Sequence, residues 1–307
     1  MVEFLLHLLL KTVFASVTSR PDLLRPPAII LPAEAAAAPE ESTVIPQAPR
    51  KLDPASLGVK LTAPTAALID TKSGEVLFSQ GDERVVPIAS ITKLMTALVI
   101  LDLKPDWNKR VTIESGDNAL EGIPYLKTGD TLSARDMFDV MLVGSANNAA
   151  MALSRSMGVS REEFVERMNS KARELDLLHT RFVDPTGYKP ENASVALDVA
   201  RLAVVAFGRS EIREALTEKE IVVKTTLGLA RRVPATDELL QSFLNQGEFQ
   251  IVGGKTGYTE EAGYTLVLRA KKGKADVLGV VLGSRTSDDR FQDAKSLLFW
   301  GFKTFEW

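Results

Sequence analysis

The chain has 307 residues, 45% hydrophobic and 25% charged, with a formal net charge of −3. That composition suits one large globular domain or two small ones, and the slight acidity leaves no electrostatic case for nucleic acid. Cysteine is absent and the only histidines are His7 and His179, which excludes disulfides and thiol nucleophiles and leaves a histidine-built metal site or a Ser-His-Asp triad almost nothing to draw on.

Residues 1–50 differ from the rest. The apolar run from Phe4 to Val17 is interrupted by His7 and Lys11, and it is short for a membrane span. As a signal peptide it lacks a basic side chain in its first residues and carries Glu3 there. A Pro/Ala-rich stretch follows, R-P-P-A-I-I-L-P-A-E-A-A-A-A-P and then P-Q-A-P-R, with the composition of a linker. The expectation is a leader or weak N-terminal anchor plus linker over 1–50, and a single catalytic domain over 51–307.

From Ala63 the pattern tightens. T-A-A-L-I-D, T-K-S-G and E-V-L-F-S-Q read as strand, turn and strand. A helix is expected from Ser90 to Leu103, and R-V-T-I (110–113) as a short strand. Ser133 and Asp136 make an S-x-x-D capping box for a helix to Val143, which Gly144 breaks; A-A-M-A-L-S-R-S-M resumes it. S-R-E-E (160–163) caps another helix, and residues 195–207 form one more. His179, in D-L-L-H-T-R-F, reads as a helix-end or loop residue. F-Q-I-V-G-G, G-Y-T-L-V-L-R-A and D-V-L-G-V-V-L-G read as strands, and Asp288 to Phe305 as a closing helix. Strands at both ends with helices between predict an α/β fold: an antiparallel sheet built from both chain ends, helices packed on it, and a central helical subdomain without βαβ crossovers.

The stretch A-S-I-T-K-L-M-T-A-L-V-I (89–100) places a lysine inside an apolar segment, three residues after a serine. On a helix the two share a face, with Cβ atoms about 5–6 Å apart. Near a helix start the backbone N–H groups are free and the macrodipole is positive. Burial and that dipole both push Lys93 toward the neutral amine. A neutral lysine can take a proton from the Ser90 hydroxyl, and free N–H groups can hold an oxyanion. Such pairs are also common on solvated helix faces, so S-x-x-K alone is a weak signal.

Two more elements strengthen it. Ser145-Ala146-Asn147 falls in the helix break, and Lys255-Thr256-Gly257 follows an apolar strand and a Gly-Gly pair. Gly253, Gly254 and Gly257 would let an extended substrate approach that strand. A second K-T-G, at Lys127-Thr128-Gly129, runs into Asp130 and the Ser133 cap, so it reads as a solvated turn.

S-x-x-K, S-x-N and K-T-G in that order make the chain resemble the serine-type D-alanyl-D-alanine carboxypeptidases, the low-molecular-mass penicillin-binding proteins. The likeness spans residues 63–305 and extends to A-L-I-D-T-K-S-G-E-V-L, P-I-A-S-I-T-K-L-M-T-A, L-V-G-S-A-N-N-A-A-M-A-L, T-R-F-V-D-P-T-G-Y and G-G-K-T-G-Y-T-E-E-A-G. The resemblance implies an acyl-enzyme on Ser90, with Lys93 as base and Ser145 as proton relay. Asn147 would contact the substrate amide, and Lys255 with Thr256 would receive the terminal carboxylate. The oxyanion hole would be the backbone N–H groups of Ser90 and Tyr258. It further implies peptidoglycan stem peptides as substrate, β-lactams as inhibitors, no metal or cofactor, and a place outside the cytoplasm, in the periplasm or at the cell surface.

Asn148 stands where many members have Asp, a change expected to leave the chemistry alone. The chain ends at Trp307, without the second domain and C-terminal anchor of many members, so a membrane contact is expected only through the N-terminal segment. Two alternatives share the catalytic atoms, a DD-endopeptidase and a serine β-lactamase. A lactamase needs a deacylating carboxylate, and F-V-D-P-T-G-Y-K-P-E-N-A-S offers only Glu191, in the wrong context. A catalytically dead wall-binding protein is opposed by intact Ser90, Lys93, Ser145 and Lys255.

Overall fold

A strand as apolar as T-A-A-L-I-D needs cover on both faces. In the structure, a computed structural model describing residues 47–118, 122 and 125–307, it has that cover. Thr65–Asp70 (β1) is buried at every position. Ala67 and Ile69 join one core, and Ala66 and Leu68 the other, as the alternation of a strand requires. Residues 1–46, nearly all of the expected leader and linker, lie outside the described residues. One compact unit spans Ile45–Trp307.

β1 pairs with β2 (Val76–Gln80) as the expected hairpin. The remaining strands of the main sheet come from the other end of the chain: β3 (Phe249–Thr259), β4 (Gly263–Lys272) and β5 (Ala275–Ser284). The order is β3-β4-β5-β1-β2, antiparallel throughout, with Val277 opposite Asp70 where the two ends meet. The sheet is therefore built from both chain ends, as the sequence predicts. K-T-G differs in one respect. It does not follow the strand F-Q-I-V but lies within the same strand: past a bulge between Ile251 and Gly253, β3 runs on through Lys255-Thr256-Gly257.

The helices are α1 (Lys93–Asp102), α2 (Ala134–Val143), α3 (Asn147–Ser156), α4 (Arg161–Glu174), α5 (Ala196–Gly208), α6 (Ser210–Thr217) and α7 (Ser287–Thr304). α1 is buried from Lys93 to Leu101, as an all-round apolar helix must be. It shares a core with α2, α5 and one face of the sheet, while α7 covers the other face through Phe291, Ala294, Leu297, Leu298 and Phe302. The expected helix from Ser90 starts differently: Ala89–Thr92 is a 3-10 turn and α-helical geometry begins at Lys93. Sequence reading passed over α6 and the hairpin Glu220–Lys224/Ala230–Pro234. Both are short, and exposed Val222 blurs the hairpin's alternation.

Hydroxyl caps start three helices. Ser133, Ser160 and Thr286 accept from the backbone N–H of Asp136, Glu163 and Asp289. Ser133 Oγ also donates to Asp136 Oδ2 at 2.7 Å. Replacing Ser133 by alanine is expected to lower unfolding free energy by about 1 kcal/mol in urea titration, as typical for a lost N-cap; an unchanged midpoint would remove the cap from the account of α2.

Candidate active site

Ser90 and Lys93 meet because a tight turn runs directly into α1. Ala89 sits at φ 48°, a left-handed conformation rare for alanine, and so turns Ser90 over the helix start. Lys93 Nζ lies 2.8 Å from Ser90 Oγ. It donates to Asn147 Oδ1 at 2.6 Å and to the Thr186 carbonyl at 2.8 Å. The lysine has no solvent exposure. Burial brings its pKa from 10.5 down to about 7, against the opposing pull of the Asp184 carboxylate. A neutral amine has two N–H bonds and one lone pair. The two oxygens at Asn147 and Thr186 occupy the N–H bonds, which leaves the lone pair for the Ser90 hydroxyl.

The Thr186 carbonyl is itself fixed by Asp184. That carboxylate accepts from the backbone N–H of Thr186 (2.7 Å), Gly187 (2.9 Å) and Lys189 (3.1 Å), from Thr186 Oγ1 (2.5 Å) and from Asn192 Nδ2 (2.6 Å). Burial pushes its pKa up, but the bonds from Thr186, Lys189 and Asn192 outweigh burial and hold it below the usual value. Gly187 has φ 82°, and a Cβ there would fall 1.9 Å from the Ala89 carbonyl oxygen. The D-P-T-G-Y loop thus presses against the turn that carries Ser90. An Asp two residues before Thr-Gly carries an Asx-turn signal, but its aim at Lys93 is tertiary.

The second serine occupies the break between α2 and α3. Ser145 has φ 56°, again left-handed for a non-glycine residue. Lys255 Nζ donates to Ser145 Oγ at 2.8 Å and to the Thr256 carbonyl at 2.8 Å. Lys255 is buried, and burial first, then the charges of Lys93 and Arg290, push its pKa well below 10.5. Asn147, two residues on, begins α3 and carries the oxygen that meets Lys93. The structure therefore brings Ser90, Lys93, Ser145, Asn147 and Lys255 to one place.

β3 is the edge strand beside them. A Cβ on Gly257 would lie 2.9 Å from the Ser90 backbone N, so the strand passes directly against the serine turn. Thr256 Oγ1 donates to Thr236 Oγ1 at 2.6 Å. Tyr258 follows, 53% exposed, its ring stacked 4.3 Å from that of Tyr264. Only Gly257 of the three glycines meets the expectation of close approach at the cleft. Gly253 is small because Phe207 lies against it, and Gly254 because Asp237 does. Arg290, unremarked in the sequence, donates from Nη1 to the Gly257 carbonyl at 3.1 Å.

Lys127-Thr128-Gly129 is an exposed turn. Its Lys127 N–H bonds Asp130 Oδ2 and its Thr128 Oγ1 accepts from Asn118, as a pre-helix turn would. His179 lies in a turn, its N–H bonded to Asp198 Oδ2. Glu191 is exposed. Asn148 lies beside the site, its Nδ2 tied to Asn118 Oδ1 and the Leu126 carbonyl.

The profile of the D-alanyl-D-alanine carboxypeptidase family matches residues 50–286. The chain belongs to that family. It is a serine-type DD-peptidase, a hydrolase with a penicillin-binding-protein fold. A D-alanyl-D-alanine endopeptidase of Pseudomonas aeruginosa is 35% identical over 78% of this chain and 77% of its own. The D-alanyl-D-alanine carboxypeptidase DacC of Escherichia coli is 35% identical over 78% of this chain and 61% of its own. Among solved structures, penicillin-binding protein D2 of Listeria monocytogenes in its ampicillin-bound form superposes with TM-score 0.70 at 29% identity, covering 80% of this chain and 99% of its own.

The Lys93 pKa carries a sign. Above about 7 the amine is neutral and able to accept a proton, and below it the base is blocked. Acylation by a penicillin is expected to hold at neutral and mildly alkaline pH and to fall about tenfold per pH unit in acid. Lys93→Arg is expected to lose about a hundredfold or more, because arginine keeps its proton; an active arginine variant in stopped-flow acylation would refute the assignment. Steady-state release of D-alanine compares the two K-T-G copies: Lys127→Gln near wild type, Lys255→Gln strongly impaired. The reverse pattern would transfer the site to residue 127.

Proposed function

We propose that the chain removes the terminal D-alanine from peptidoglycan stem peptides through an acyl-enzyme on Ser90. The observation that carries the reading is Lys93 Nζ, 2.8 Å from Ser90 Oγ with its two N–H bonds engaged elsewhere. As Ser90 Oγ attacks the carbonyl of the penultimate D-alanine, its proton passes to Lys93. The negative charge on the carbonyl oxygen is met by the backbone N–H groups of Ser90 and Tyr258, a role supported by the contact of Gly257 with the Ser90 turn. When the C–N bond breaks, Ser145 gives its proton to the departing amine and is resupplied by Lys93, which returns to the neutral amine. Lys255 and Thr256 receive the terminal carboxylate, and Asn147 contacts the substrate amide. Water, deprotonated by Lys93, then releases the shortened peptide.

The chain works outside the cytoplasm in this reading, residues 1–50 forming a leader or weak anchor with its linker and 51–307 the catalytic domain. Among the described residues no helix is long and apolar enough to cross a membrane. A second reading, cleavage of cross-bridges as a DD-endopeptidase, is favoured by the name of the Pseudomonas aeruginosa relative and uses the same atoms. Incubating the full chain with a diacyl-D-Ala-D-Ala peptide and with a cross-linked muropeptide dimer separates the two: free D-alanine marks the first, monomers the second.

β-Lactams acylate the same serine in this reading, but the opened ring keeps its leaving amine tethered, where it obstructs water. A lactamase overcomes that with a positioned base, and Glu191, the sequence's one candidate, is exposed. A penicilloyl adduct on Ser90 is expected to survive long enough for intact-protein mass spectrometry, to be absent in Ser90→Ala, and to keep its lifetime in Glu191→Gln. Rapid multiple-turnover hydrolysis of penicillin would overturn the carboxypeptidase reading in favour of a lactamase.

A further inference from the structure

An ionised carboxylate only accepts hydrogen bonds, so the groups that receive it must have protons to give. The Thr256 hydroxyl has already placed its proton: Thr256 Oγ1 donates to Thr236 Oγ1 at 2.6 Å. A hydroxyl donates once and accepts twice. Thr236 accepts the Thr256 proton, and its own O–H is given to no acceptor among the described residues. The two side chains also differ in access. Thr256 is 3% exposed, whereas Thr236 is half-buried, so Thr236 is the outer hydroxyl of the pair. Its backbone is held at the cleft. The Thr236 N–H donates to the Val143 carbonyl at 3.1 Å, at the end of α2 and two residues before Ser145. In the same segment Val233 packs on the helix break: a Cβ on Gly144 would fall 2.4 Å from Val233 Cγ1. Lys255 spans the same place from β3, with Nζ bonded to Ser145 Oγ and to the Thr256 carbonyl. Residues 233–236 therefore join the second serine's turn to the edge strand, and the Thr236 hydroxyl lies at the junction.

We propose that Thr236 is a further substrate-binding residue, whose hydroxyl donates to the terminal carboxylate of the substrate while the Thr256 hydroxyl stays bonded behind it. The proposal rests on the reading of Lys255 and Thr256 as receivers of that carboxylate given above. The protons then run in one direction, from Thr256 to Thr236 and from Thr236 to the carboxylate. Donation by Thr256 polarises the Thr236 O–H and makes it the better donor. A hydrogen bond to an ionised acceptor is also stronger than one to a neutral oxygen. The outer hydroxyl thus favours ligands that end in a free carboxylate, a class that takes in both D-alanyl-D-alanine peptides and penicillins. An esterified end gains much less from it.

Thr236→Val keeps the branched shape and removes the hydroxyl, and Thr236→Ser keeps the hydroxyl. Acylation rates of the full chain are measured with a penicillin and with its methyl ester, which lacks the carboxylate. Thr236→Val is expected to slow the free acid about tenfold, the worth of one hydrogen bond to a charged group, and to leave the ester near its wild-type rate. Thr236→Ser is expected to restore the acid. A loss shared equally by acid and ester is what a merely structural role gives, and it overturns the proposal. A carboxylate preference intact in Thr236→Val sinks the proposal alone; a wild-type chain indifferent to the carboxylate sinks the reading of Lys255 and Thr256 and the proposal with it. Thr256→Val separates direct contact from support. In that background Thr236→Val is expected to slow the acid again, and a silent change there shows Thr236 acting only through Thr256, which also overturns the direct contact. Should Thr236→Val not fold, Thr236→Ala removes the same hydroxyl without adding a methyl group in its place and meets the same criteria.

Discussion

The Lys93 amine is held where an ammonium ion would be poorly solvated. It enters a helix buried on every face, and its tip reaches three oxygens, of Ser90, Asn147 and Thr186. Burying an ammonium costs several kcal/mol, and at this site burial lowers the Lys93 pKa to about 7, toward the neutral amine, while the packing stays intact. The rest of the cleft follows from that choice. α3 must begin where Asn147 can supply one oxygen, and the D-P-T-G-Y loop must turn where Thr186 supplies another. The Ser90 hydroxyl is then left facing the third position of the Lys93 amine.

Three basic side chains converge here, Lys93, Lys255 and Arg290, and two buried carboxylates stand behind them. Asp184 acts chiefly through geometry. Five hydrogen bonds lock its loop, and its charge only moderates the drop in the Lys93 pKa. Asp237 has one hydrogen bond, from the Leu239 N–H, and a second oxygen without a partner among the described residues, set against the Gly254 backbone. The two lysines thus share one condition: burial pushes both toward the neutral amine, and each has a carboxylate that opposes the shift, Asp184 for Lys93 and Asp237 for Lys255.

Two of the four left-handed non-glycine residues among the described residues lie at the two serines of the cleft, the others being Lys104 and Asp176. Ala89 and Ser145 are both left-handed at non-glycine positions, next to Ser90 in one case and at the second serine in the other. Such conformations cost about 1–3 kcal/mol each and persist only where surrounding packing dictates them. That packing is the sheet edge at β3, which presses Gly257 on the Ser90 turn, and the Gly187 contact on Ala89 from the opposite side.

The architecture was legible because its signals are local. Hydroxyl caps at Ser133 and Ser160, apolar runs bounded by turns, and strands clustered at the two ends of the chain prescribe an antiparallel sheet with helices between them. The side chains that meet in the cleft, Ser90, Lys93, Ser145, Asn147 and Lys255, were legible because Ser90 and Lys93 lie three residues apart and because the order of three motifs is rarely met by chance. It also separated the two K-T-G copies, since one leads into a helix cap and the other continues a strand. Asp184, Asp237, Thr236 and Arg290 could not be read in this way. Each has a partner far along the chain, 33 residues in the case of Arg290 and the Gly257 carbonyl, and no propensity or period records such a distance. Gly254 makes the same point: its sequence context suggests room for substrate, and only the folded chain reveals a carboxylate in that space. Sequence determined which elements form and which groups can react, because those depend on near neighbours. Tertiary structure decided their charge states, because desolvation and the placing of counter-ions exist only once distant segments have packed together.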